Sequence, residues 1–525
     1  MMPFRALFTF AFLALLAVGS ADLLGQTSRP GAKQKTPDTQ GPPGPLRFAV
    51  SFNKDYRREA VDGSVYLIIS KDLIGEPRSK VHNFDAPPHL FRVDVSGFAR
   101  GDEIVFDESS PGFPTGLLDL SPGRYGVQAV IHQSRTDYDF TKAAGNGRSR
   151  LKRLLLDPQA SGMVKLVVDK EIEQVADSTR TRVQYRNIES RLVGRHLGAR
   201  FYAHVAVVLP ENYPAAGEEK KAYPVQYWIP TLGDRARGAL SYFQRLGLYF
   251  ASPEMRTQSA DFIRVIIDPH GPWGHHLWMD SAVNGPFRTA LFEELIPAIE
   301  EEFSIDARPK DRFLVGYGLG GWAATNLIAH RPDFFNSAWV LAADPLDFQS
   351  FYGLNLKSRG TGSVFIDEQG APRAFARHDG KVVIDFKHQL AFEGVLGRGG
   401  LLTSFESSLG LRSGNKSPLP LIDRRNGNID DRVRRQFLES DLSQVIARGG
   451  SARAQSIARA LHLRVGDKDD FYLVNPTLHF RRAVEKFGTE LDLVILTDHD
   501  HPALSSKEVQ IEVQKKISRA WRAAK

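Results

Sequence analysis

The sequence predicts two regions of different class: an all-β part that reads as sandwich-like, then an α/β part built on a mainly parallel sheet. Three observations carry this. Residues 46–175 hold short β-branched and aromatic runs separated by turn signals. From about residue 190, strand-like runs alternate with helical periodicity. Residues 312–330, RFLVGYGLGGWAATNLIAH, read as a strand, a glycine-dense turn and a helix.

The chain has 525 residues, 42% hydrophobic and 25% charged, with a formal charge of +7. That length suits two or three domains with a large buried core. The densest basic runs, Arg148 to Arg153 and Arg432 to Arg435, come without zinc-finger spacing or an RNA-binding aromatic signature. They read as solvated faces, and no nucleic-acid partner is expected. Cysteine is absent, which excludes disulfides, thiolate nucleophiles and cysteine-ligated metals. At the start, Arg5 precedes the apolar stretch Ala6 to Val18, and Gly19-Ser20-Ala21 offers a cleavage site. Residues 1–21 therefore read as a signal peptide and the protein as secreted or periplasmic, with an uncleaved anchor as the alternative. No later stretch reads as membrane-spanning. Residues 22–45, rich in Pro, Gly, Gln and Thr, have almost nothing to bury and read as a disordered linker.

In the β part the strand candidates are Phe48–Phe52, Val65–Ser70, Leu90–Val95, Tyr125–Gln133 and Val164–Asp169. Tyr125, Val127, Ala129 and Ile131 share one face by period-two alternation. This part is expected to be a packing or binding accessory. In the α/β part, 190–525, the strand candidates are Phe201–Leu209, Val225–Ile229, Phe262–Ile267, Phe313–Val315, Trp339–Ala342, Leu461–Val465 and Leu491–Leu496. Helices are predicted over Leu291–Phe303, where Leu291, Leu295, Ile299 and Phe303 form one apolar face and Pro297 suggests a kink, and over Trp322–His330. Residues 348–450 read as a cap-like insertion rich in Gly, Arg and Asp.

In an α/β-hydrolase the nucleophile sits on a tight strand-to-helix turn, Gly-x-Ser-x-Gly, flanked by small residues that let strand and helix approach. Gly316 and Gly320 supply the flanking glycines, Gly321 adds a third, and Gly318 stands where the serine belongs. A phosphate-loop reading fails because no Lys-Ser/Thr follows, and a dinucleotide-loop reading fails on spacing. The acid and base of a triad should follow in that order. Asp467, Asp469 and Asp470 come directly after one apolar strand, and His499 and His501 after the next.

These segments resemble the secreted esterase family that includes enterochelin esterase, esterase D and the mycolyltransferases of the antigen 85 type. The resemblance spans residues 190–510 and rests on YPVQYWIPTLGD (223–234), MDSAVNGPFRTALFEELIPAIEEEF (279–303), GYGLGGWAATNLIAHRPDFFNSAWVLAADPLDF (316–348), VGDKDDFYL and TDHDHPAL. It implies Asp469 as the acid, His501 as the base with His499 as fallback, and Gly318 at the nucleophile position. It also implies a ligand cleft lined by Thr231 and Leu232 of the oxyanion loop, Tyr317 and Leu319 beside Gly318, Ser281 and Trp273. Two departures stand out: glycine replaces the serine, and Pro230-Thr231 replaces the family's His-Gly. Proline has no N–H to donate to an oxyanion.

Glycine enters the strained central conformation without a Cβ penalty, so the fold survives the loss of serine while acyl transfer does not. The expectation is a secreted esterase-like protein without serine-hydrolase activity, whose cleft binds a small-molecule, saccharide or ester ligand. Tyr227, Trp228, Trp273, Trp278 and Trp322 are the candidate stacking surfaces. One alternative is an active carboxylic-ester hydrolase with an unrecognised nucleophile, for which Ser281 or a water activated by His501 and Asp469 are the options. Another is a structural or partner-binding protein acting through its β part. No cofactor is expected. A metal set from His270, His275 and His276 is the bare alternative to no metal, since adjacent histidines point apart on most backbones.

Overall fold

The structure is a computed structural model and describes residues 43–82, 87–173, 182–214, 222–238, 260–359 and 362–525. The expected signal peptide and all of the expected linker up to residue 42 lie outside the described residues. The chain divides into two compact units, Met1–Ser134 with Phe140–Gln174, and Arg135–Asp139 with Val175–Lys525. Among the described residues no helix is long and apolar enough to cross a membrane.

The first unit is all-β. Its nine strands form one continuous sheet, rather than the two separately paired sheets of a sandwich. The strand Arg47–Phe52 runs parallel to Met163–Glu171, and the remaining pairings are antiparallel. In sheet order Arg47–Phe52 and His89–Phe98 stand five places apart. A flat sheet would hold them about 24 Å apart, yet the Phe52 and Phe98 rings lie 5.1 Å apart. The sheet therefore folds over and closes on a single core. Tyr125, Val127, Ala129 and Ile131 point into that core together, as their alternation predicts. Four short strands escaped the sequence reading: Ile104–Phe106, Gly112–Phe113, Gly147–Ser149 and Lys152–Leu156. Arg148 pairs with Glu76 and Arg150 with Asp169, so this basic run is anchored locally.

The second unit carries an eight-stranded sheet. Its order is Val183–Ser190, Phe201–Val208, Ile263–Ile267, Val225–Ile229, Arg312–Tyr317, Ser337–Leu341, Leu461–Gly466 and Asp492–Leu496. The first two strands run antiparallel to their neighbours and the last six run parallel, the arrangement of an α/β-hydrolase. Val225–Ile229, Ile263–Ile267 and Ser337–Leu341 are buried at every residue. Strands covered on both faces read as unbroken apolar runs, which is why the sequence located them. Val183–Ser190 was missed because its polar residues hide the pattern at the sheet edge.

The helix over Phe287–Glu302 widens into a π-turn at Leu291–Leu295, just before Pro297. Proline cannot donate to the preceding turn, and the helix accommodates it with this wider turn. Residues 348–450 are more ordered than their composition suggests. They contain helices Phe386–Leu396, Leu401–Leu409 and Asp431–Glu439 and the start of Leu442–Ala460. Three of the aspartates that read as loop residues are helix N-caps: Asp385 accepts from His388 N, Asp430 from Val433 N and Asp441 from Ser443 N. The basic run there is also locally paired, Arg434 and Arg435 both reaching Asp431.

A buried ion pair ties the elbow strand to the preceding helix. Arg312 grips Glu300 through two bonds of 2.6 and 2.7 Å, the Tyr227 hydroxyl donates to the same carboxylate at 2.9 Å, and the guanidinium lies 4.2 Å from the Phe334 ring. Replacing Arg312 with methionine leaves Glu300 buried without its counter-charge. The expected loss is about 3–5 kcal/mol of unfolding free energy, measured by urea denaturation, with the paired replacement Arg312→Met/Glu300→Leu losing less.

Candidate active site

The site forms where the carboxyl ends of parallel strands meet. Val225–Ile229 and Arg312–Tyr317 are hydrogen-bonded neighbours with Ile229 opposite Gly316. The strand that follows the first, Ile263–Ile267, lies on one side of this pair and the strand that follows the second, Ser337–Leu341, on the other, which makes it a switch point in the strand order. Pro230-Thr231 emerges from one strand and Gly318 from the other, side by side.

Gly318 begins helix Leu319–His330 with φ +58° and ψ −124°, a conformation that strains any side chain. The turn is as tight as the motif requires: a Cβ on Gly316 would collide with the Gly320 carbonyl, and one on Gly320 with the Ile229 carbonyl. At Gly318 itself a Cβ would lie 2.6 Å from Thr231 Oγ1, 3.2 Å from Thr231 Cβ and 3.6 Å from Asp344 Oδ2. Thr231 Oγ1 lies in the space that a side chain on residue 318 would need. The same oxygen also accepts the Leu319 N–H at 3.4 Å. A side chain of the same protein thus occupies the N–H that follows Gly318.

His501 and Asp469 come together. His501 Nδ1 donates to Asp469 Oδ2 at 2.9 Å, leaving Nε2 for the site. Asp469 Oδ1 accepts from Phe471 N at 2.9 Å and Leu473 N at 3.3 Å, which fixes the carboxylate. The Tyr317 hydroxyl donates to the His501 carbonyl at 2.9 Å, and the Tyr317 and Phe471 rings flank the imidazole, each at 5.0 Å. Burial pulls the imidazole's proton affinity down, but the charges of Asp469, Asp344 and Asp470 outweigh it, and His501 titrates above its ordinary range. The fallback His499 is a half-buried loop residue whose Nδ1 turns to the Thr497 carbonyl at 2.7 Å and makes no bond to the acid.

Asp344 completes the cluster, and the sequence reading missed it. It follows strand Ser337–Leu341, the neighbour of the elbow strand. Ala342, at φ +42°, turns the chain back so that Asp344 N donates to the Gly318 carbonyl at 3.2 Å. The Tyr352 hydroxyl donates to Asp344 Oδ1 at 2.7 Å, and Oδ2 is the atom that faces Gly318. Asp344 is only 4% exposed. Burial pushes its carboxyl up to about 6, against the pull of Tyr352 and His501. The signal was available: a carboxylate at a strand's carboxyl end, the same rule that singled out Asp469 and His501.

Other predicted residues lie elsewhere or serve packing. The Ser281 hydroxyl donates to the Ser407 carbonyl at 2.8 Å and accepts from Asn284 N at 2.9 Å, so it supports a loop and makes no bond to His501. Tyr227, Trp228, Trp278 and Trp322 are buried in the core and offer no stacking face. Trp273 is half-buried beneath the Arg398 guanidinium, 5.0 Å from its ring. Leu232 packs on the unit's main core, and Leu319 is fully buried. Solvent reaches the turn at Thr231, Tyr317 and His501.

The histidine-rich stretch supports the oxyanion loop. His275 Nδ1 accepts from Leu277 N at 3.0 Å, so its Nε2 carries the proton and donates to the Pro230 carbonyl at 3.1 Å. Burial pulls His275 down to about 3 and keeps it neutral. His276 stacks on Phe287 at 3.7 Å. Among the described residues His378, Asp470 and Asp500 bring their polar atoms within 4.8 Å of one another, close enough for one ion. His378 Nδ1 already lies 3.2 Å from Asp470 Oδ1 and 3.9 Å from Asp500 Oδ2. We read this group as an ion-pair cluster rather than a metal centre.

Comparison with solved structures finds esterases. A ferulic acid esterase is 14% identical with a TM-score of 0.43, over 65% of this chain and 98% of that one. An S-formylglutathione hydrolase from Agrobacterium tumefaciens is 12% identical with a TM-score of 0.39, over 66% and 99%. One from Staphylococcus aureus (FrmB) is 13% identical with a TM-score of 0.36, over 65% and 100%. No curated protein sequence matches the chain. A family model described as "Putative esterase" matches residues 202–382, the stretch that holds Thr231, Gly318 and Asp344 and ends before Asp469 and His501.

Proposed function

We propose that this protein is an exported member of the esterase-like hydrolases that has given up the serine acyl-enzyme route and seats a small-molecule, saccharide or ester ligand over Gly318. Export is carried by the leader pattern of Arg5 and Ala6 to Val18. The observation that supports the loss of serine chemistry is the 2.6 Å between Thr231 Oγ1 and the place a Cβ would take on Gly318. The turn lacks the hydroxyl, and Thr231 Oγ1 from the neighbouring loop lies against it. Loss of a triad serine alone lowers turnover by about 2 × 10⁶ in a well-studied protease. Here the oxyanion hole is also impaired, because Pro230 has no N–H and Thr231 takes the Leu319 N–H. The ligand approaches where Thr231, Tyr317 and His501 are partly exposed.

One observation favours a second reading, in which the site hydrolyses esters through another group: the Asp344 carboxylate faces the same point above Gly318.

A fluorophosphonate probe tests the first reading, since it reports a serine nucleophile by a mass increment on the intact protein. Wild type is expected to remain unlabelled, and a stoichiometric adduct would overturn the reading. The Thr231 contact sets a further expectation. Gly318→Ser alone stays unlabelled and loses about 1–3 kcal/mol of stability from the strained turn, whereas Gly318→Ser/Thr231→Gly, with the space cleared, gains labelling. Equal labelling of both variants would show that Thr231 does not obstruct the turn.

A further inference from the structure

Two polar oxygens face the point that a side chain on residue 318 would occupy. Thr231 Oγ1 approaches from the oxyanion loop and Asp344 Oδ2 from the end of the next strand, and the His501–Asp469 pair lies close enough to Asp344 for His501 to act on its charge. Thr231 and Asp344 are not hydrogen-bonded to each other: Thr231 Oγ1 takes the Leu319 N–H, and Asp344 takes the Tyr352 hydroxyl on its other oxygen. Two polar oxygens that face one space without meeting make a seat for a water.

We propose that Asp344 is the general base of a direct hydrolysis, in which a water held over Gly318 by Asp344 Oδ2 and Thr231 Oγ1 attacks a bound carboxylic ester and His501 protonates the departing alcohol. This deepens the second reading above, since it names water as the nucleophile of the same site. Asp344 Oδ2 takes one proton from the water. The water oxygen bonds to the acyl carbon, the bond from that carbon to the alkoxy oxygen breaks, and His501 Nε2 gives its proton to the leaving alkoxide. One ester and one water become one acid and one alcohol, and solvent returns the proton from Asp344 to His501. No covalent enzyme intermediate forms.

The surroundings of the two groups suit these roles. Asp344 is faced by Tyr352, His501 and Asp469. Its carboxyl ionises near 6, so it is a competent base at neutral pH while retaining more basicity than a solvated aspartate. His501 is faced by Asp469, Asp344 and Asp470, with the Tyr317 and Phe471 rings on its sides. Their net effect raises its proton affinity, so the imidazole holds the proton that a leaving alkoxide needs. A pair whose environments push it apart in this sense is an acid–base assignment. Tyr352 acts as a positioning residue, because its hydroxyl ties down Oδ1 and leaves Oδ2 for the water.

The test uses the purified full chain with p-nitrophenyl acetate and p-nitrophenyl butyrate as substrates and N-(4-nitrophenyl)butanamide as a slow analogue for binding. Wild type is expected to turn over the esters without a burst and without an acyl adduct on the intact protein. Asp344→Asn lowers kcat by about 100-fold or more and leaves the amide's Kd within twofold. The acid limb of the kcat/KM profile, which reports the free enzyme, falls near pH 6 in wild type and moves to higher pH in Tyr352→Phe, because that hydroxyl favours the charged carboxylate. This shift is read on an active enzyme, so the proposal does not rest on how well Asp344→Asn folds. Binding of the amide without ester turnover overturns the inference and leaves the ligand seat standing. Turnover that survives Asp344→Asn, or an acid limb unmoved in Tyr352→Phe, also overturns it. An acyl adduct, on Thr231 or elsewhere, overturns it in favour of covalent chemistry. Failure of the amide to bind removes the ligand seat as well.

Discussion

The pairing of Ile229 with Gly316 is the contact on which the site depends. Adjacent parallel strands are held about 4.8 Å apart by their hydrogen bonds, so whatever leaves their carboxyl ends must share one small volume. Gly316 and Gly320 let the following helix come down onto that junction. The strand Ser337–Leu341 then delivers Asp344, Leu461–Gly466 delivers Asp469, and Asp492–Leu496 delivers His501. Chemistry-bearing groups separated by up to 270 positions in sequence meet because one sheet orders them.

Electrostatics within that volume follow from how little water reaches it. Asp344 and Asp469 are both almost fully buried, and a single imidazole is their shared cation. The two carboxylates are stabilised differently. Asp469 receives two backbone N–H groups and the imidazole Nδ1–H, whereas Asp344 receives the Tyr352 phenol. Donors lower the cost of charge, and their shortage at Asp344 leaves desolvation in command. The protein thus holds two aspartates with unlike surroundings close to one histidine.

Much of this was legible in the sequence, for identifiable reasons. Buried parallel strands such as Val225–Ile229 and Ser337–Leu341 are continuous apolar runs, and the elbow turn advertises itself by glycine spacing. The edge strand Val183–Ser190 carries polar residues on its open side and escaped notice. The helices within 348–450 were obscured because their capping aspartates look like loop composition when the helical stretches between them are short. Asp344 was passed over because it lies just beyond the strand read at Trp339–Ala342 with no motif around it, and nothing local reports the reversal at Ala342 that aims it at Gly318. The packing of Thr231 against the elbow is a fact of three dimensions, since the two residues lie 87 positions apart and no local pattern links them.

The contact between Thr231 and the bare turn makes two positions answer as one. Any side chain at residue 318 starts 2.6 Å from the Thr231 hydroxyl, so what the bend can carry is set by how that hydroxyl is turned. A change at either position is therefore read through the other, and the tip of the elbow strand behaves as a coupled pair rather than as two independent places.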